Sequence, residues 1–340
     1  MVSAVETLVN PRDPFILLYC ALARFVFKSL PFSVLLAFSN LKGAYKYAFY
    51  RTLRRDVLHN VHRAFGDKRS QKELLRLTRS IIQSVQVWNL CNYMHEKLSL
   101  EEIERRFPLL GLENLDEALK QEKGVILLSG HLGPHFITRR ILREKGYPVR
   151  AVRFRSASKR SAAAPVSRTA SRVGELIERK LRIHRYEEPD EARFDVGFNA
   201  RPLIKFLNEN GILFSMGDGM QSLTYMKVKF LNNTVPFSLG PMSLARATGA
   251  RVLPVIVTGR MGSRDFKTRI GRPLQLQVTA DREEDVRCNT LQFVRCLESQ
   301  IVEFPYSWRN WLVRNYFERI NEYFAVEKDR HARVLGLGRA

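Results

Sequence analysis

An apolar run that stops abruptly at a Gly-His pair constrains the fold most, in the segment KGVILLSGHLGPHFITRR at 123–140. The run GVILLS is short, uncharged and aliphatic, which is typical of a buried strand, and Gly130 supplies the freedom for a sharp turn. Gly133 and Pro134 predict the start of a helix, because the missing N–H of proline is tolerated at the first helical position. This places His131 between a strand end and a helix start, where open α/β sheets bind their ligands.

Similar apolar runs alternate with helical patterns along the chain. The predicted strands lie at 125–129, 149–154, 212–216, 252–258 and 273–279. The predicted helices between them lie at 134–146, 201–210 and 241–250. Strands that alternate with helices form parallel sheets through right-handed crossovers. We therefore expect an α/β fold with a mostly parallel central sheet flanked by helices.

The N-terminal region at 15–50 is rich in aromatic and aliphatic residues but contains Arg24, Lys28 and Pro31. These interruptions leave no uninterrupted stretch of about 20 apolar residues, the length that spans a bilayer. The pattern predicts a helical anchor in the membrane interface, with the basic side chains reaching the lipid headgroups. An ordinary pair of buried helices is the alternative.

Helical patterns also predict an amphipathic helix at 71–97, a short helix at 114–123 and a C-terminal helical region at 284–325. The expected organisation has three parts. They are membrane-associating helices at 1–60, an α/β domain at 61–325 and a basic tail at 326–340.

The chain of 340 residues has a formal net charge of +22, which favours anionic partners such as acidic lipid or an acidic carrier protein. No helix-turn-helix, zinc-finger or aromatic RNA-reading motif accompanies this charge, so we expect no nucleic acid partner. The four cysteines form no C-x-x-C pair, which argues against a zinc site or a disulfide framework and favours a reducing compartment. The N-terminus shows no pattern of a cleavable signal peptide.

An imidazole at the predicted position of His131 can act as a general base toward a hydroxyl, since its unperturbed pKa lies near neutrality. Adjacent backbone N–H groups are then expected to stabilise a developing oxyanion. A purely structural histidine is the alternative.

Arginines near the predicted strand ends are candidates for phosphate binding, because guanidinium offers paired N–H donors. Arg153 and Arg155 follow the second strand, and Arg201 begins the helix before the third. The Ser-, Ala- and Arg-rich segment 155–172 is either a solvated insertion or an anion-binding flap, with Arg172 as its best candidate. Simple solvation is the alternative for each arginine.

Several segments resemble the lipid A late acyltransferase family, the lauroyl and myristoyl transferases of the lysophospholipid-acyltransferase-like group. Segment 57–85 is similar to the N-terminal helical segment of the family, and 123–136 to its strand and catalytic histidine motif. Segments 211–220 and 228–257 resemble its aspartate turn, apolar strand and small-residue helix. Segment 297–312 resembles the closing helix and its Pro-x-x-Trp turn. The order and spacing of these segments make the resemblance specific.

The resemblance implies transfer of a fatty acyl group from an acyl-carrier-protein or coenzyme A thioester to a glycolipid similar to lipid A, or to a lysolipid. It implies an anionic membrane lipid as partner, a location at the cytoplasmic face of the bacterial inner membrane, and no metal or bound cofactor. It leaves the oligomeric state open. His131 carries over as the catalytic residue. The expected substrate-binding residues are Gly130, Gly133, His135, Phe136, Arg153, Arg172 and Arg201.

One position departs from the family motif, in which the fifth residue after the histidine is an Asp or Glu that orients the imidazole. Here that position is Phe136, and the neighbouring His135 cannot replace a carboxylate as a charge partner. Asp218 is the candidate replacement acid, with an ordinary turn residue as the alternative. The departure therefore also allows a catalytically degenerate family member that binds lipid or an acidic carrier protein.

Overall fold

A computed structural model describes residues 13–94, 98–154, 177, 189–196, 199–219, 222, 224–263, 265–322 and 324. The predicted basic loop at 155–172, including Arg155 and Arg172, lies outside the described residues, as does the basic tail at 326–340.

Nine strands are present in the described residues. They are β1 (Leu109–Leu110), β2 (Val125–Ser129), β3 (Val149–Phe154), β4 (Arg193–Val196), β5 (Ile212–Met216), β6 (Tyr225–Phe230), β7 (Asn233–Ser238), β8 (Arg251–Thr258) and β9 (Lys267–Ile270). Seven form one sheet in the order β1-β9-β8-β2-β5-β3-β4, while β6 and β7 form a separate antiparallel hairpin. Within the sheet only β8 and β9 are antiparallel, so the predicted mostly parallel sheet is confirmed.

Besides a helical stretch at 316–322, ten α-helices surround these strands in the described residues. They are α1 (Asp13–Ser29), α2 (Phe32–Phe49), α3 (Arg51–Phe65), α4 (Gln71–Met94), α5 (Leu100–Arg106), α6 (Leu112–Leu119), α7 (His135–Glu144), α8 (Arg201–Asn208), α9 (Gly240–Thr248) and α10 (Arg282–Glu303). Pro134 is the cap residue of α7, so that helix starts one residue later than predicted.

Strand β2 lies in the middle of the sheet, between β8 and β5. All of its side chains are buried, because helices cover both faces of a parallel sheet. This explains why its sequence is a continuous apolar run rather than an alternation of apolar and polar residues. The core thus fixes β2 firmly, and with it the turn that follows.

The strand predicted at 273–279 is wrong. The N–H of Gln277 donates to the side chain of Asn289, and the N–H of Thr279 donates to the carboxylate of Asp285. Both acceptors belong to α10, so helix side chains take the backbone donors that a neighbouring strand would otherwise bond. Strand β9 occupies the sheet position beside β8 instead.

The N-terminal helices share the hydrophobic core of the rest of the chain. Phe32 and Leu35 of α2 and Val57 and Val61 of α3 are buried within it, and α2 packs against α4. The domain boundary drawn at residue 60 therefore falls inside α3. Among the helices described, none is long and apolar enough to cross a membrane.

The side chain of Asn60 joins α3 to the segment that follows α10. Its amide donates to the backbone oxygens of Trp311 at 3.0 Å and Val313 at 2.7 Å, and its oxygen accepts from the N–H of Tyr316 at 3.0 Å. Asn60 is fully buried. It therefore supplies hydrogen bonds that water cannot replace.

We predict that Asn60→Ala lowers the free energy of unfolding by about 2–4 kcal/mol, because each buried polar group left without a partner costs roughly 1–3 kcal/mol. Asn321→Ala is the matched control, since its amide also donates to backbone oxygens, those of Thr234 and Phe317, but is partly exposed. Urea denaturation of both variants measures the difference. Equal losses would contradict the importance assigned to burial.

Candidate active site

The sheet register explains how two distant residues meet. Strands β2 and β5 are parallel neighbours in which Ser129 lies opposite Met216. His131 and Asp218 each stand two residues beyond this pair, and the N–H of Gly217 donates to the oxygen of Ser129 at 2.7 Å. Both turns therefore leave the sheet together at its C-terminal edge, where α/β folds place their ligands.

Glycine is required in both turns because α10 packs closely against them. A Cβ on Gly130 would lie 2.6 Å from Cδ1 of Leu297, and a Cβ on Gly217 would lie 2.1 Å from Cε1 of Phe293. Both distances are far below van der Waals contact. The closeness of α10 confines the turns and so limits how far His131 and Asp218 can move apart.

Asp218 binds both the backbone and the ring of His131. Its Oδ1 lies 2.7 Å from Nδ1 of the imidazole, and the N–H of His131 donates to Oδ1 at 3.0 Å and to Oδ2 at 2.9 Å. The Asp218 side chain is fully buried, whereas 31% of the His131 side chain is exposed. The carboxylate thus sits behind the imidazole, which faces solvent on its other side.

Two further donors hold the second oxygen of Asp218. The indole N–H of Trp308 donates to Oδ2 at 2.7 Å, and the amide of Asn310 donates to it at 3.1 Å. Sequence reasoning did not identify either residue as part of the site. The Pro-x-x-Trp turn was visible in the sequence, but only the tertiary structure shows which group its tryptophan binds.

The pKa of Asp218 is lowered from its ordinary value. Burial alone raises it, but the electrostatic interaction and hydrogen bonds with His131, together with the Trp308 indole, outweigh that effect. The carboxylate is therefore ionised at neutral pH and can only accept hydrogen bonds. Nδ1 of His131 must then carry the proton, which leaves Nε2 with the lone pair that a general base needs.

The backbone N–H groups around His131 are not available for an oxyanion. Those of His131, Leu132, Gly133 and His135 all have acceptors, at distances between 2.7 and 3.0 Å. The acceptors are Asp218, Gly130, Ser307 and Gly133. These four N–H groups are paired because Leu132 forms an antiparallel bridge with Trp308 and the turn folds onto itself, while stabilisation of an oxyanion by other adjacent N–H groups stays a prediction.

Of the other predicted site residues, Phe136 and Gly133 are buried, whereas Arg153 and Arg201 are exposed. Phe136 is 3% exposed and belongs to the hydrophobic core, and Gly133 is buried with a positive φ of 53°. Arg153 near the end of β3 and Arg201 at the start of α8 are exposed. Strand β5 lies between β3 and β2, so the strand of Arg153 and the strand before His131 are not neighbours in the sheet.

His135 contacts the site from the first turn of α7. Its ring centroid lies 6.1 Å from that of His131 and 5.6 Å from that of Trp88, both edge to face. Its Nδ1 lies 3.2 Å from Nη1 of Arg139. Burial, with the charges of Arg139, His131 and Arg309, lowers the pKa of His135 well below its ordinary value. The imidazole is therefore neutral at pH 7.

A strand-end histidine backed by a buried carboxylate in a parallel α/β sheet has the geometry that general-base chemistry needs. A family profile described as bacterial lipid A biosynthesis acyltransferase matches residues 8–317. Because the match covers most of the chain, the protein belongs to this family, and the resemblance is confirmed. No individual curated protein matches the chain.

Membership indicates an acyltransferase of lipid A biosynthesis and implies an acyl donor and a lipid acceptor. Among the described residues, no group of three or more His, Cys, Asp or Glu side chains could hold a metal ion.

We predict that the neutral state of His135 makes folding stability depend on pH. Its folded pKa is depressed, so below about pH 6.5 the unfolded chain binds a proton that the folded chain does not, and stability falls as pH falls. Between pH 7.5 and 5.5 the wild type should lose about 1.4 kcal/mol more than His135→Gln. Denaturant unfolding at several pH values measures this. Parallel pH curves for the two proteins would show that His135 titrates normally.

Proposed function

We propose that this protein is a membrane-surface acyltransferase that moves a fatty acyl group from an acyl-carrier-protein or coenzyme A thioester to a lipid A-like glycolipid or a lysolipid. The observation that supports this most directly is the buried Asp218 carboxylate 2.7 Å from Nδ1 of the partly exposed His131. Family membership supplies the reaction class.

In this mechanism Nε2 of His131 removes the proton from the acceptor hydroxyl as its oxygen attacks the thioester carbonyl carbon. The tetrahedral intermediate then collapses, the carbon–sulfur bond breaks, and His131 returns the proton to the departing thiolate. Asp218 stabilises the imidazolium that exists between the two steps and stays ionised throughout.

Asp218 takes the orienting role that the family motif gives to the fifth residue after the histidine. Phe136 at that position packs in the core, where an unpaired carboxylate would be strongly destabilising. The imidazole already has a buried carboxylate at Nδ1, from the turn that follows the neighbouring strand β5. We propose that the protein keeps a histidine–carboxylate pair, in which Asp218 supplies the carboxylate for His131.

The exposed arginines at the same edge of the sheet are proposed to bind anionic headgroups. Arg153 stands near the C-terminal end of β3, and Arg201 begins α8. Guanidinium is the side chain best suited to bidentate binding of phosphate.

The outer surface of α1 and α2 is proposed to lie in the cytoplasmic face of the bacterial inner membrane. Most exposed large apolar side chains of the described residues occur here: Phe15, Leu18, Tyr19, Leu22, Phe25, Val26, Val34, Phe38, Leu41, Tyr45, Phe49 and Tyr50. They recur every three or four residues, so each helix presents one apolar stripe. The exposed Lys28 and Lys42 suit anionic headgroups.

We predict that His131→Ala and Asp218→Asn both remove acyl transfer from a labelled acyl thioester to bacterial lipid. His131→Ala removes the base, and Asp218→Asn should lower turnover by roughly 10³–10⁴, since a neutral amide no longer holds the required tautomer. Asp116→Asn is the control, because this carboxylate accepts a hydrogen bond from Tyr147 at an exposed position.

Wild-type and Asp116→Asn activity together with two inactive site variants would support the proposal. Equal background in all four proteins would instead favour a degenerate family member that binds lipid or an acidic carrier. If Asp218→Asn keeps full activity while His131→Ala is inactive, the Asp218 carboxylate has only a structural role.

We predict that the double substitution Phe38→Glu with Leu41→Glu reduces binding to phosphatidylglycerol vesicles by at least about tenfold, since each apolar side chain withdrawn from the lipid forfeits roughly 1.5–3 kcal/mol. Val278→Glu with Val302→Glu is the control, because these side chains are equally exposed but lie outside α1 and α2. Vesicle cosedimentation measures both. Equal binding by the two doubles would refute docking through these helices.

A further inference from the structure

Acyl transfer through His131 builds negative charge on the carbonyl oxygen of the thioester. Enzymes usually stabilise that charge with preorganised hydrogen-bond donors. The backbone N–H groups of His131, Leu132, Gly133 and His135 already have acceptors, and Pro134 has no N–H. Because these four N–H groups are already paired, a side chain beside the base is a candidate donor for the oxyanion.

The ring of His135 is at a suitable distance. Its centroid lies 6.1 Å from that of His131, at an interplanar angle of 83°. A base that reaches one oxygen of a tetrahedral carbon and a donor that reaches another each need about 3 Å. The centroid separation of 6.1 Å is compatible with both imidazoles reaching oxygens of the same carbon.

Arg139 fixes the tautomer of His135. Nη1 of Arg139 lies 3.2 Å from Nδ1 of His135, and because a guanidinium can only donate, Nδ1 must accept. The proton of the neutral ring is then on Nε2. Arg139 is itself held in place, since it is 7% exposed and its guanidinium lies over the ring of Phe214 at 5.1 Å.

Burial, and after it the charges around His135, lower the pKa of the ring so that it is neutral. Arg139 faces it from the next turn of α7, His131 from the strand-end turn, and Arg309 from the segment after α10. From α4 it meets the uncharged Trp88, whose ring also carries the Arg309 guanidinium at 4.6 Å. A neutral imidazole donates a hydrogen bond without competing with His131 for the proton in transit.

We propose that His135 is a second catalytic residue, whose Nε2–H donates a hydrogen bond to the thioester carbonyl oxygen as that oxygen becomes negative. His135 keeps its proton throughout, and only His131 transfers one. This inference rests on the proposed function and adds to it the group that stabilises the oxyanion.

The test compares His135→Phe, which keeps a ring but has no donor, with His135→Gln, whose amide N–H₂ reaches about as far as Nε2. We expect His135→Phe to lower kcat by about 10²–10³ with KM within about threefold of the wild type, the usual result of removing one oxyanion donor. The kcat of His135→Gln should be at least about tenfold higher than that of His135→Phe. Equal kcat losses in the two variants, or a wild-type kcat in His135→Phe, would overturn the proposal.

A binding measurement separates this inference from the proposed function. The probe is an S-alkyl phosphonate analogue of the acyl-pantetheine thioester, whose negative oxygen stands for the oxyanion. His135→Phe should weaken its binding by at least about tenfold, and His135→Gln should weaken it less. If Arg309→Gln instead produces the larger loss, Arg309 is the donor and the assignment to His135 is wrong.

Kinetics of the wild type distinguish the two kinds of failure. If the wild type transfers the acyl group and His135→Phe transfers it equally fast, the inference about His135 is wrong but the proposed function stands. Absence of transfer and of phosphonate binding in the wild type would refute the proposed function and this inference with it.

Discussion

The carboxylate of Asp218 joins three parts of the chain that are far apart in sequence. It accepts hydrogen bonds from the His131 turn and from Trp308 and Asn310 after α10, while its own turn follows β5. A buried carboxylate is tolerated only when its oxygens are fully satisfied. The four donating groups here meet that requirement, and each comes from an element that the core holds in place. The orientation of His131 therefore depends on the packing of the whole domain.

In the proposed function, Asp218 orients the histidine of a chain that lacks the acid of the family motif. The resemblance places that acid five residues after the histidine, where this chain has Phe136, which packs in the core. The turn after the neighbouring parallel strand places Asp218 level with His131, because each residue stands two positions beyond the paired Ser129 and Met216. An imidazole needs a single buried carboxylate at Nδ1, and the direction from which it arrives matters less than the tautomer it enforces.

Helix α4 connects the site to the surface proposed for the membrane. Trp88 on α4 packs against His135 and Arg309, and α2 packs against another part of the same helix. Gly43 of α2 approaches Gln83 of α4 so closely that a Cβ would lie 2.6 Å from the Cα of Gln83. Helix α2 and the ring of His135 thus both contact α4.

Local sequence determined the apolar strands at 125–129 and 212–216, because buried parallel strands require continuous apolar runs. It also identified the Gly-His turn and the family. Only the tertiary structure decided the partners of His131. Register between distant strands brought Asp218 to it, and long-range packing of α10 brought Trp308 to Asp218. The strand predicted at 273–279 failed for the same reason, since side chains of α10 bind its backbone. Spacing along a chain encodes local conformation, whereas these contacts depend on which elements the hydrophobic core places side by side.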